Sequence, residues 1–392
     1  MELTRKQEEA LNIAVARFRN KEHYTVISGY AGSGKTTLVK YIIAALQVPE
    51  SQVCYATFTG KAAQVLMQKG NKNISTLHKL LYDSIRKPDG NFMHVPKIRI
   101  EYSVIVADEC SMIPKSMVNL LLKHQCYVLF LGDPFQLPPV NPDDTNDLLT
   151  HPHIFLDEIL RQNQENEIIR ISMDIREGKS LDDFDGKDVK VYPRRALVDG
   201  MYNWADQILV ATNNTRIAIN KEMRQKAGFG EEPEEGDKLI VLKNNWEIIS
   251  DNEEPLVNGT IGYLGDGYKT FFRYPYYING GGTVDLYEGV FTSESGGRFG
   301  SLTMDYKLLT EGEKGLDWKT EYALSKNPKF AHRIPLELTY GYAVTVHKAQ
   351  GSSWPNVLVL EEKFPFSKEE HARWLYTAVT RASSKLVLIR KE

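Results

Sequence analysis

The chain has 392 residues, 42% of them hydrophobic and 25% charged, with a formal net charge of −3. This length exceeds what one hydrophobic core supports, so we expect two or more domains. The charge excludes a general attraction to nucleic acid, so any nucleic-acid site must be a local groove. The three cysteines lack metal-ligand spacing, no apolar run reaches membrane-spanning length and the start is too charged for a secretory signal. These features predict a cytoplasmic protein without a zinc site.

A glycine-rich loop lies between a predicted strand and a predicted helix. The run YTVIS at residues 24–28 is typical of a buried strand, and residues 37–46 have apolar side chains at helical spacing. Between them, SGYAGSGKTT contains the pattern GxxxxGKT, in which backbone N–H groups and a lysine face phosphates and a hydroxyl ligates Mg²⁺. The expected nucleotide-binding residues are Gly29, Gly32, Ser33, Gly34, Lys35, Thr36 and Thr37, with Thr36 also a metal ligand.

Strand-like and helical patterns alternate along most of the chain, which predicts parallel sheets covered by helices. In residues 1–150 the predicted strands span 53–58, 103–109 and 127–133, and the predicted helices about 60–69, 75–82 and 114–124. In residues 151–392 a second series has predicted strands near 154 and at 207–212, 336–340, 357–361 and 385–390. We therefore predict an α/β protein with two domains, 1–150 and 151–392.

Two segments interrupt this alternation. Residues 83–100 have a Pro-Asp-Gly-Asn turn signal between short β-prone arms, which predicts a hairpin insert in the first domain. Residues about 250–325 are rich in Gly, Tyr and Thr and show few helical patterns, which predicts a small β-barrel-like insert in the second domain.

A pair of carboxylates follows an apolar strand in VIVADECSM. After a P-loop, Asp108 is expected to hold Mg²⁺ through its water shell and Glu109 to orient or deprotonate the attacking water. Arginine is the usual positive group at the γ-phosphate, and Arg161 and Arg381 are candidates, although each is also compatible with an ordinary surface residue. Arg381 is expected to share a helix face with Tyr376 and Thr377.

The nucleotide is expected to be ATP, because the guanine-reading pattern NKxD is missing. Gln7 has two interpretations that the residues leave open. It could read adenine, or it could form a capping box with Thr4 at the start of a helix.

These motifs resemble those of superfamily 1 helicases in order and rough spacing. The matching strings are GYAGSGKTT, ATFTGKAA, STLHKLL, VADECSM, LGDPFQLPPV, LRQ, VHKAQGSSW and LYTAVTRA. From about residue 7 to 381, the chain is most similar to superfamily 1B, the RecD-like and Dda-like 5′ to 3′ branch. The resemblance implies two RecA-like domains with ATP between them, single-stranded DNA across both, and a small SH3-like barrel in the second domain.

The resemblance also implies roles for the matching residues around the nucleotide. Gln7 takes the adenine-reading position and Gln136 the position of a glutamine that senses the γ-phosphate. Gly351, beside Gln350, belongs to a motif that bridges nucleotide and DNA. Arg161 and Arg381 resemble the two arginines that the second domain offers to the γ-phosphate.

On the DNA side the resemblance points to polar residues at helix starts and loop ends, which suits contacts to phosphates. These residues are Thr59, Lys61, His78, Asn213, Thr345, His347 and Lys348. Phe58 stands where the family usually has proline, and it either stacks on a base or only packs. Thr260 in the barrel-like insert is a further candidate.

We therefore expect an ATP-dependent DNA helicase that moves 5′ to 3′ and acts in replication, repair or recombination. ATP and Mg²⁺ are the expected cofactors. The expected partners are single-stranded and forked duplex DNA, together with a single-strand-binding protein, and the protein is expected to be a monomer that does not bind a membrane. The hairpin insert is the expected wedge, in which Phe92 and His94 press on the end base pair, unless Phe92 only packs the insert.

Three alternatives remain. One is a single-strand translocase that displaces proteins without efficient unwinding, and another is an RNA helicase. A non-motor P-loop ATPase is the third, but it would not need the DNA-side strings TGKAA and VHKAQ.

Overall fold

A computed structural model of the chain describes residues 3–391 except 69, 87–91, 140–141, 159–165 and 364–366. The α-helices of this part are α1 (Arg5–Arg19), α2 (Lys35–Leu46), α3 (Gly60–Gln68), α4 (Leu77–Leu81), α5 (Lys115–Leu121), α6 (Glu167–Arg176), α7 (Asp199–Trp204), α8 (Asn213–Lys226), α9 (Tyr306–Glu311), α10 (Trp318–Ser325), α11 (Val346–Ala349) and α12 (Lys368–Val379).

The strands of the same part are β1 (Tyr24–Gly29), β2 (Val53–Thr57), β3 (Ile74–Thr76), β4 (Tyr82–Arg86), β5 (Phe92–Pro96), β6 (Val104–Ala107), β7 (Tyr127–Gly132), β8 (Ile154–Leu156), β9 (Phe184–Asp185), β10 (Val189–Pro193), β11 (Gln207–Val210), β12 (Lys238–Val241), β13 (Asn245–Ile249), β14 (Pro255–Leu256), β15 (Ile261–Tyr274), β16 (Gly282–Ser293), β17 (Arg298–Asp305), β18 (Leu338–Tyr340), β19 (Ala343–Thr345), β20 (Trp354–Leu360) and β21 (Ala382–Arg390).

The first sheet is parallel, with the strand order β3-β2-β6-β7-β1-β8. Alternate residues of β6 and β7 belong to two hydrophobic clusters, one with Ile105 and Phe130 and the other with Val104 and Leu129. Both faces are therefore covered, which explains the continuous apolar runs of these strands. The segments that follow β1, β2, β6 and β7 meet at one edge of the sheet, where ligands of such folds bind.

The second sheet contains β11, β20, β21, β10 and β9 in that order. The first four strands run parallel, and the short β9 pairs antiparallel with β10 at the edge. Helix α12 packs against β20 and β21 and buries Trp374 and Tyr376 completely. The predicted α/β class with parallel sheets is confirmed.

Two predicted strands have different partners from those expected. Ile154–Leu156 opens the predicted second domain but pairs with β1 in the first sheet. Leu338–Tyr340 was expected in the second parallel series but pairs antiparallel with β12. The physical reason is that an apolar run of three to five residues predicts a strand and does not specify its neighbour, which depends on contacts distant in sequence.

By compactness the chain divides into two units. The first comprises Met1–Tyr82, Pro96–Ala211 and Val346–Glu392, and the second comprises Asp83–Val95 and Thr212–Thr345. The predicted division into domains 1–150 and 151–392 follows the parallel sheets instead, and it remains a prediction.

The second unit is built on an antiparallel sheet with the order β17-β16-β15-β12-β18. Its core includes Phe291 and Phe299, whose ring centroids are 5.8 Å apart. The predicted insert at 250–325 contains more strand than helix, as expected, but it also contains α9 and α10. The SH3-like barrel remains a prediction. The predicted hairpin is confirmed, since β4 pairs with β5, and its turn lies outside the described residues.

Throughout the described part of the chain, no helix has both the length and the apolar character needed to span a bilayer.

Candidate nucleotide site and nucleic-acid interface

The loop between β1 and α2 requires glycine at several positions. Gly32 and Gly34 have φ of +80° and +79°, in the left-handed region that side chains disfavour. A Cβ on Gly29 would lie 2.7 Å from the Ser33 Oγ and 2.9 Å from the Leu156 Cβ. Gly34 also has no side chain to cap α2, so the first N–H groups of this helix can face a phosphate.

Lys35, the first residue of α2, folds back over this loop. Its ammonium donates to the carbonyls of Gly29 at 2.6 Å and Tyr30 at 2.9 Å. The Ser33 hydroxyl donates to the same Tyr30 carbonyl at 2.8 Å. These neutral acceptors hold the lysine charge at the mouth of the loop without neutralising it.

Asp108 and Glu109 follow β6 at the same edge of the sheet. Glu109 has φ of +54°, an uncommon conformation for a residue with a side chain and one that is concentrated at functional sites. Its N–H donates to the Asp108 Oδ1 at 2.8 Å. Burial and the Asp108 charge raise the pKa of the Glu109 carboxyl, while Arg381 and Lys35 oppose that shift. A carboxylate with a raised pKa accepts a proton more readily than an ordinary one.

A cavity of about 210 Å³ brings these groups together. It is lined by Thr36, Thr57, Ala62, Leu66, Asp108, Glu109, Gly351, Ser352, Ser353 and Arg381. The Thr36 hydroxyl and the Asp108 carboxylate are hard oxygen donors of the kind that Mg²⁺ prefers. Among the described residues, no group of three or more His, Cys, Asp or Glu side chains is placed to hold a metal ion.

Arg381 reaches the cavity from the segment between α12 and β21. Because α12 ends at Val379, Arg381 lies just beyond the helix whose face it was expected to share. It is 6% exposed, and its guanidinium donates to oxygens of Thr377, Thr380 and Ser352 at 3.1–3.2 Å. None of these acceptors is a carboxylate. The second candidate arginine, Arg161, lies outside the described residues.

Two glutamines of the predicted site are buried nearby. Gln136 is 6% exposed, and its Oε1 has no hydrogen-bond partner in the part of the chain that the structure describes. Such a buried orphan acceptor points to a ligand or a water. Gln350 donates to the Leu137 carbonyl at 2.9 Å and so holds the loop that contains Gln136.

The capping-box interpretation of Gln7 is confirmed. The Thr4 N–H donates to the Gln7 Oε1, and the Gln7 N–H donates to the Thr4 Oγ1. The side-chain amide also donates to the Ser33 carbonyl at 3.1 Å, so Gln7 supports the P-loop. Adenine reading remains a prediction.

Two candidate DNA residues, Thr59 and Lys61, lie at the start of α3 beside the nucleotide cavity, close to the candidate nucleotide residue Gly351. The Thr59 hydroxyl accepts from the Ala62 N–H at 3.3 Å at the start of α3. Gly351 has φ of +76°, and a Cβ there would lie 3.0 Å from both the Thr59 Oγ1 and the Ala62 Cβ. The Lys61 ammonium donates to the Gln64 amide oxygen at 3.4 Å. The cavity and the candidate phosphate grip therefore share helix α3.

The remaining candidates are distributed between the two units. In the first unit, His347 and Lys348 belong to the short α11, and burial lowers the pKa of the His347 imidazole. In the second unit, the Asn213 Oδ1 accepts from the Arg216 Nε at 3.3 Å, and Thr345 ends β19. The buried Thr260 hydroxyl has no hydrogen-bond partner within the described chain. Their contacts with DNA remain predictions.

Phe58 packs partly against the core and lies next to His78, with ring centroids 5.9 Å apart. His78 in turn lies 6.1 Å from the Tyr82 ring. Packing is thus observed for Phe58, and base stacking remains a prediction. The backbones of Phe92 and His94 belong to β5, but their side chains lie outside the described part, so the wedge is untested.

The sequence did not indicate two contacts of the P-loop. The Tyr376 hydroxyl accepts from the Ala31 N–H at 2.9 Å. The Arg176 guanidinium carbon lies 3.5 Å from the centroid of the Tyr30 ring. The sequence predicted only that Tyr376 shares a helix face with Thr377 and Arg381. That prediction did not indicate a contact with the P-loop.

The fold and the site define a P-loop nucleotide-binding protein with a second parallel sheet that contributes an arginine. A family model described as an AAA domain matches residues 2–200, and a UvrD-like helicase C-terminal domain model matches residues 340–389. The chain belongs to the AAA domain family. These two models and the relatives described next support its similarity to the superfamily 1B helicases. The resemblance seen in the motifs is thereby confirmed.

Two curated relatives are named as helicases. The ATP-dependent DNA helicase dda of Enterobacteria phage T4 is 29% identical over 252 residues, covering 57% of this chain and 57% of the relative. The ATP-dependent RecD2 DNA helicase of Deinococcus radiodurans is 27% identical over 373 residues, covering 92% of this chain and 46% of the relative. The chain thus spans about half the length of these relatives.

Solved structures share the fold. The Pif1 helicase from Bacteroides, in complex with ADP-AlF3 and single-stranded DNA, matches with a TM-score of 0.56 at 16% identity. This match covers 100% of this chain and 93% of that one. The Pif1 helicase from Candida albicans matches with a TM-score of 0.53 at 18% identity, covering 100% and 95% of the two chains.

Proposed function

We propose that this chain is an ATP-dependent DNA helicase that moves 5′ to 3′ on single-stranded DNA and separates duplex strands. The observation that carries the proposal is the cavity that brings the P-loop Thr36 and the Asp108–Glu109 pair together with Arg381 from the second-sheet region. A site assembled from two parts of the fold can change shape when its substrate is cleaved. The names of the relatives, both DNA helicases, support the choice of reaction.

The nucleotide-binding step follows from the P-loop. The phosphates of ATP would lie against the N-terminus of α2, and Lys35 would exchange its two carbonyl acceptors for outer phosphate oxygens. Thr36 and Asp108 would hold Mg²⁺, which when bound neutralises phosphate charge. Gln7 supports the loop through its hydrogen bond to the Ser33 carbonyl, and it is proposed to contact the adenine.

The hydrolytic step follows from two charged groups that line the cavity, Glu109 and Arg381. Glu109 is proposed to take a proton from the attacking water, a role that its raised pKa favours. Arg381 is proposed to stabilise the charge that develops on the γ-phosphoryl group, and its neutral hydrogen-bond partners leave its charge available. Arg161 is proposed as a second arginine, and Gln136 as the residue that contacts the γ-phosphate.

The coupling to DNA rests on α3 and Gly351. Ala62 and Gly351 line the nucleotide cavity, and Gly351 packs on Thr59 at the start of the same helix. A change in the cavity therefore moves residues that are proposed to grip DNA phosphates, among them Lys61. Melting one base-pair step costs about 1.4 kcal/mol on average, a small load for one ATP.

Four further points are proposals that rest on the family resemblance. They are dependence on Mg²⁺, action as a monomer, cooperation with a single-strand-binding protein, and forked DNA as the natural substrate. A cytoplasmic location is also proposed, and it is supported by three free, buried cysteines.

The test is ATP-driven unwinding of one labelled duplex with either a 5′ or a 3′ single-stranded tail, with ATPase recorded in the same samples. We expect unwinding with the 5′ tail only. ATPase stimulated by both tails without strand separation would replace the helicase with a translocase, and preference for RNA tails would replace DNA with RNA.

The matched control is Lys35→Ala. Loss of the phosphate-binding ammonium is expected to reduce ATP turnover by about 10²- to 10³-fold while single-strand binding persists. Normal turnover in this variant would contradict the P-loop assignment.

A further inference from the structure

One hydroxyl joins three segments of the first unit. Tyr376 is 1% exposed, and its hydroxyl accepts from the Ala31 N–H of the P-loop at 2.9 Å. The same hydroxyl donates to the Asp133 Oδ2 at 2.6 Å. Helix α12, the P-loop and the segment after β7 are therefore connected through a single oxygen atom.

Asp133 depends on this contact. It is 1% exposed, and its Oδ1 accepts from the Phe135 N–H at 3.0 Å while its Oδ2 receives the Tyr376 hydroxyl. Burial and the Asp133 charge raise the pKa of the Tyr376 hydroxyl above its ordinary value, so the group remains a donor. Without this hydroxyl, a buried carboxylate would lose a donor and a P-loop amide would lose its acceptor.

The segment 133–137 is also held at other points by α12 and by Gln350, the residue after α11. The Thr377 Oγ1 accepts from the Leu137 N–H at 3.1 Å, and Gln350 donates to the Leu137 carbonyl. Arg373 donates to the Pro134 carbonyl at 3.0 Å. These bonds attach the segment to the second-sheet region, and Tyr376 adds a bond from α12 to the P-loop.

We propose that Tyr376 is a positioning residue that couples occupancy of the P-loop to the segment 133–137 and to α12, which leads to Arg381. The inference rests on the proposed function and assigns its coupling to one side chain. When phosphate binding reorients the P-loop, the Ala31 N–H moves relative to the Tyr376 hydroxyl. The hydroxyl remains bonded to Asp133, so the displacement reaches Gln136, the residue whose buried oxygen lacks a partner among the described residues.

The test compares Tyr376→Phe with Thr377→Val. Both changes remove one hydroxyl from the same helix and one hydrogen bond to the segment 133–137, but only the first breaks the bond to the P-loop. Steady-state ATPase is measured with and without oligothymidylate, and KM is separated from kcat. We expect Tyr376→Phe to lower the DNA stimulation of kcat by about 10-fold, within the 5- to 150-fold range of coupled sites. Thr377→Val retains stimulation at a similar melting temperature.

Three outcomes decide the question. Equal loss of stimulation in both variants, or none in Tyr376→Phe, overturns the positioning role. A wild-type protein without DNA-stimulated ATPase overturns the proposed function and this inference with it.

If Tyr376→Phe does not fold, hydrogen–deuterium exchange of the wild type gives the answer. A non-hydrolysable ATP analogue added without DNA must change amide exchange in both 29–33 and 133–137. A change confined to the P-loop overturns the inference.

Discussion

Two equally buried arginines, Arg381 at the nucleotide cavity and Arg224 in the second unit, have different hydrogen-bond partners. Arg381 at the cavity is 6% exposed, and its hydrogen bonds go to neutral oxygens. Arg224 in the second unit is equally buried, but it forms two bonds to Asp237, at 2.8 Å and 3.0 Å. A buried charge that is held by neutral groups remains available to an anionic ligand, whereas one matched by a carboxylate is committed to the fold. Removing the first should therefore affect chemistry, and removing the second should affect stability.

The largest expected effect comes from Arg381→Ala. If this guanidinium stabilises charge on the γ-phosphoryl group, kcat for ATP should fall by about 10³-fold or more. Single-turnover ATPase and binding of a fluorescent ATP analogue would separate catalysis from affinity. Arg381→Lys keeps the charge but loses the forked geometry, and it should recover only part of the rate. An unchanged kcat in Arg381→Ala would remove the distinction between the two arginines.

The second prediction concerns Arg224→Met. Loss of the guanidinium leaves Asp237, whose side chain is 0% exposed, as an unpaired buried charge, and should lower the free energy of unfolding by about 3–5 kcal/mol. Urea unfolding measures this change, while ATPase of the folded fraction should persist.

The matched control for Arg224 is Lys269→Met, which breaks the exposed pair with Asp285 in the same unit. Such a pair contributes about 0–1 kcal/mol. Equal losses in the free energy of unfolding of the two variants would show that Arg224 contributes no more to stability than an exposed ion pair does.

Local patterns explain which features the sequence could predict. The P-loop and the Asp108–Glu109 pair are each defined by spacing within ten residues, and strands β6 and β7 are defined by continuous apolar runs. The residues at this edge of the first sheet could therefore be predicted from the sequence. The partners of Ile154–Leu156 and Leu338–Tyr340 were not, because strand pairing is decided by distant residues.

The same limit applies within the site. The Tyr376 hydroxyl and the Ala31 N–H belong to residues 345 positions apart, so no local pattern reports their contact. The predicted role of Gln136 came from the family resemblance, and Arg381 was one of two candidate arginines that the resemblance supported. The missing partner of the Gln136 Oε1 and the neutral partners of Arg381 are visible only in the described three-dimensional structure.

The smallest expected effect concerns Glu361 in the first unit. Its carboxylate pairs with His371, as Asp237 in the second unit pairs with Arg224. Burial tends to raise the pKa of the Glu361 carboxyl, but hydrogen bonds from His371 and the Lys391 N–H outweigh it and hold the pKa below its ordinary value of 4.5. A carboxyl with a lowered folded pKa stabilises the fold above the unfolded pKa and loses that contribution as the pH falls through the folded pKa.

Urea unfolding across this acidic range should therefore show a shallower pH dependence for Glu361→Gln than for the wild type, with ATPase retained at neutral pH. Glu50→Gln, which breaks the exposed pair with Lys72, is the control, since a pair of this kind contributes about 0–1 kcal/mol. If Glu361→Gln instead loses ATPase and keeps the wild-type pH slope, Glu361 acts in catalysis although its charge has an oppositely charged partner. The distinction drawn between Arg381 and Arg224 would then be wrong.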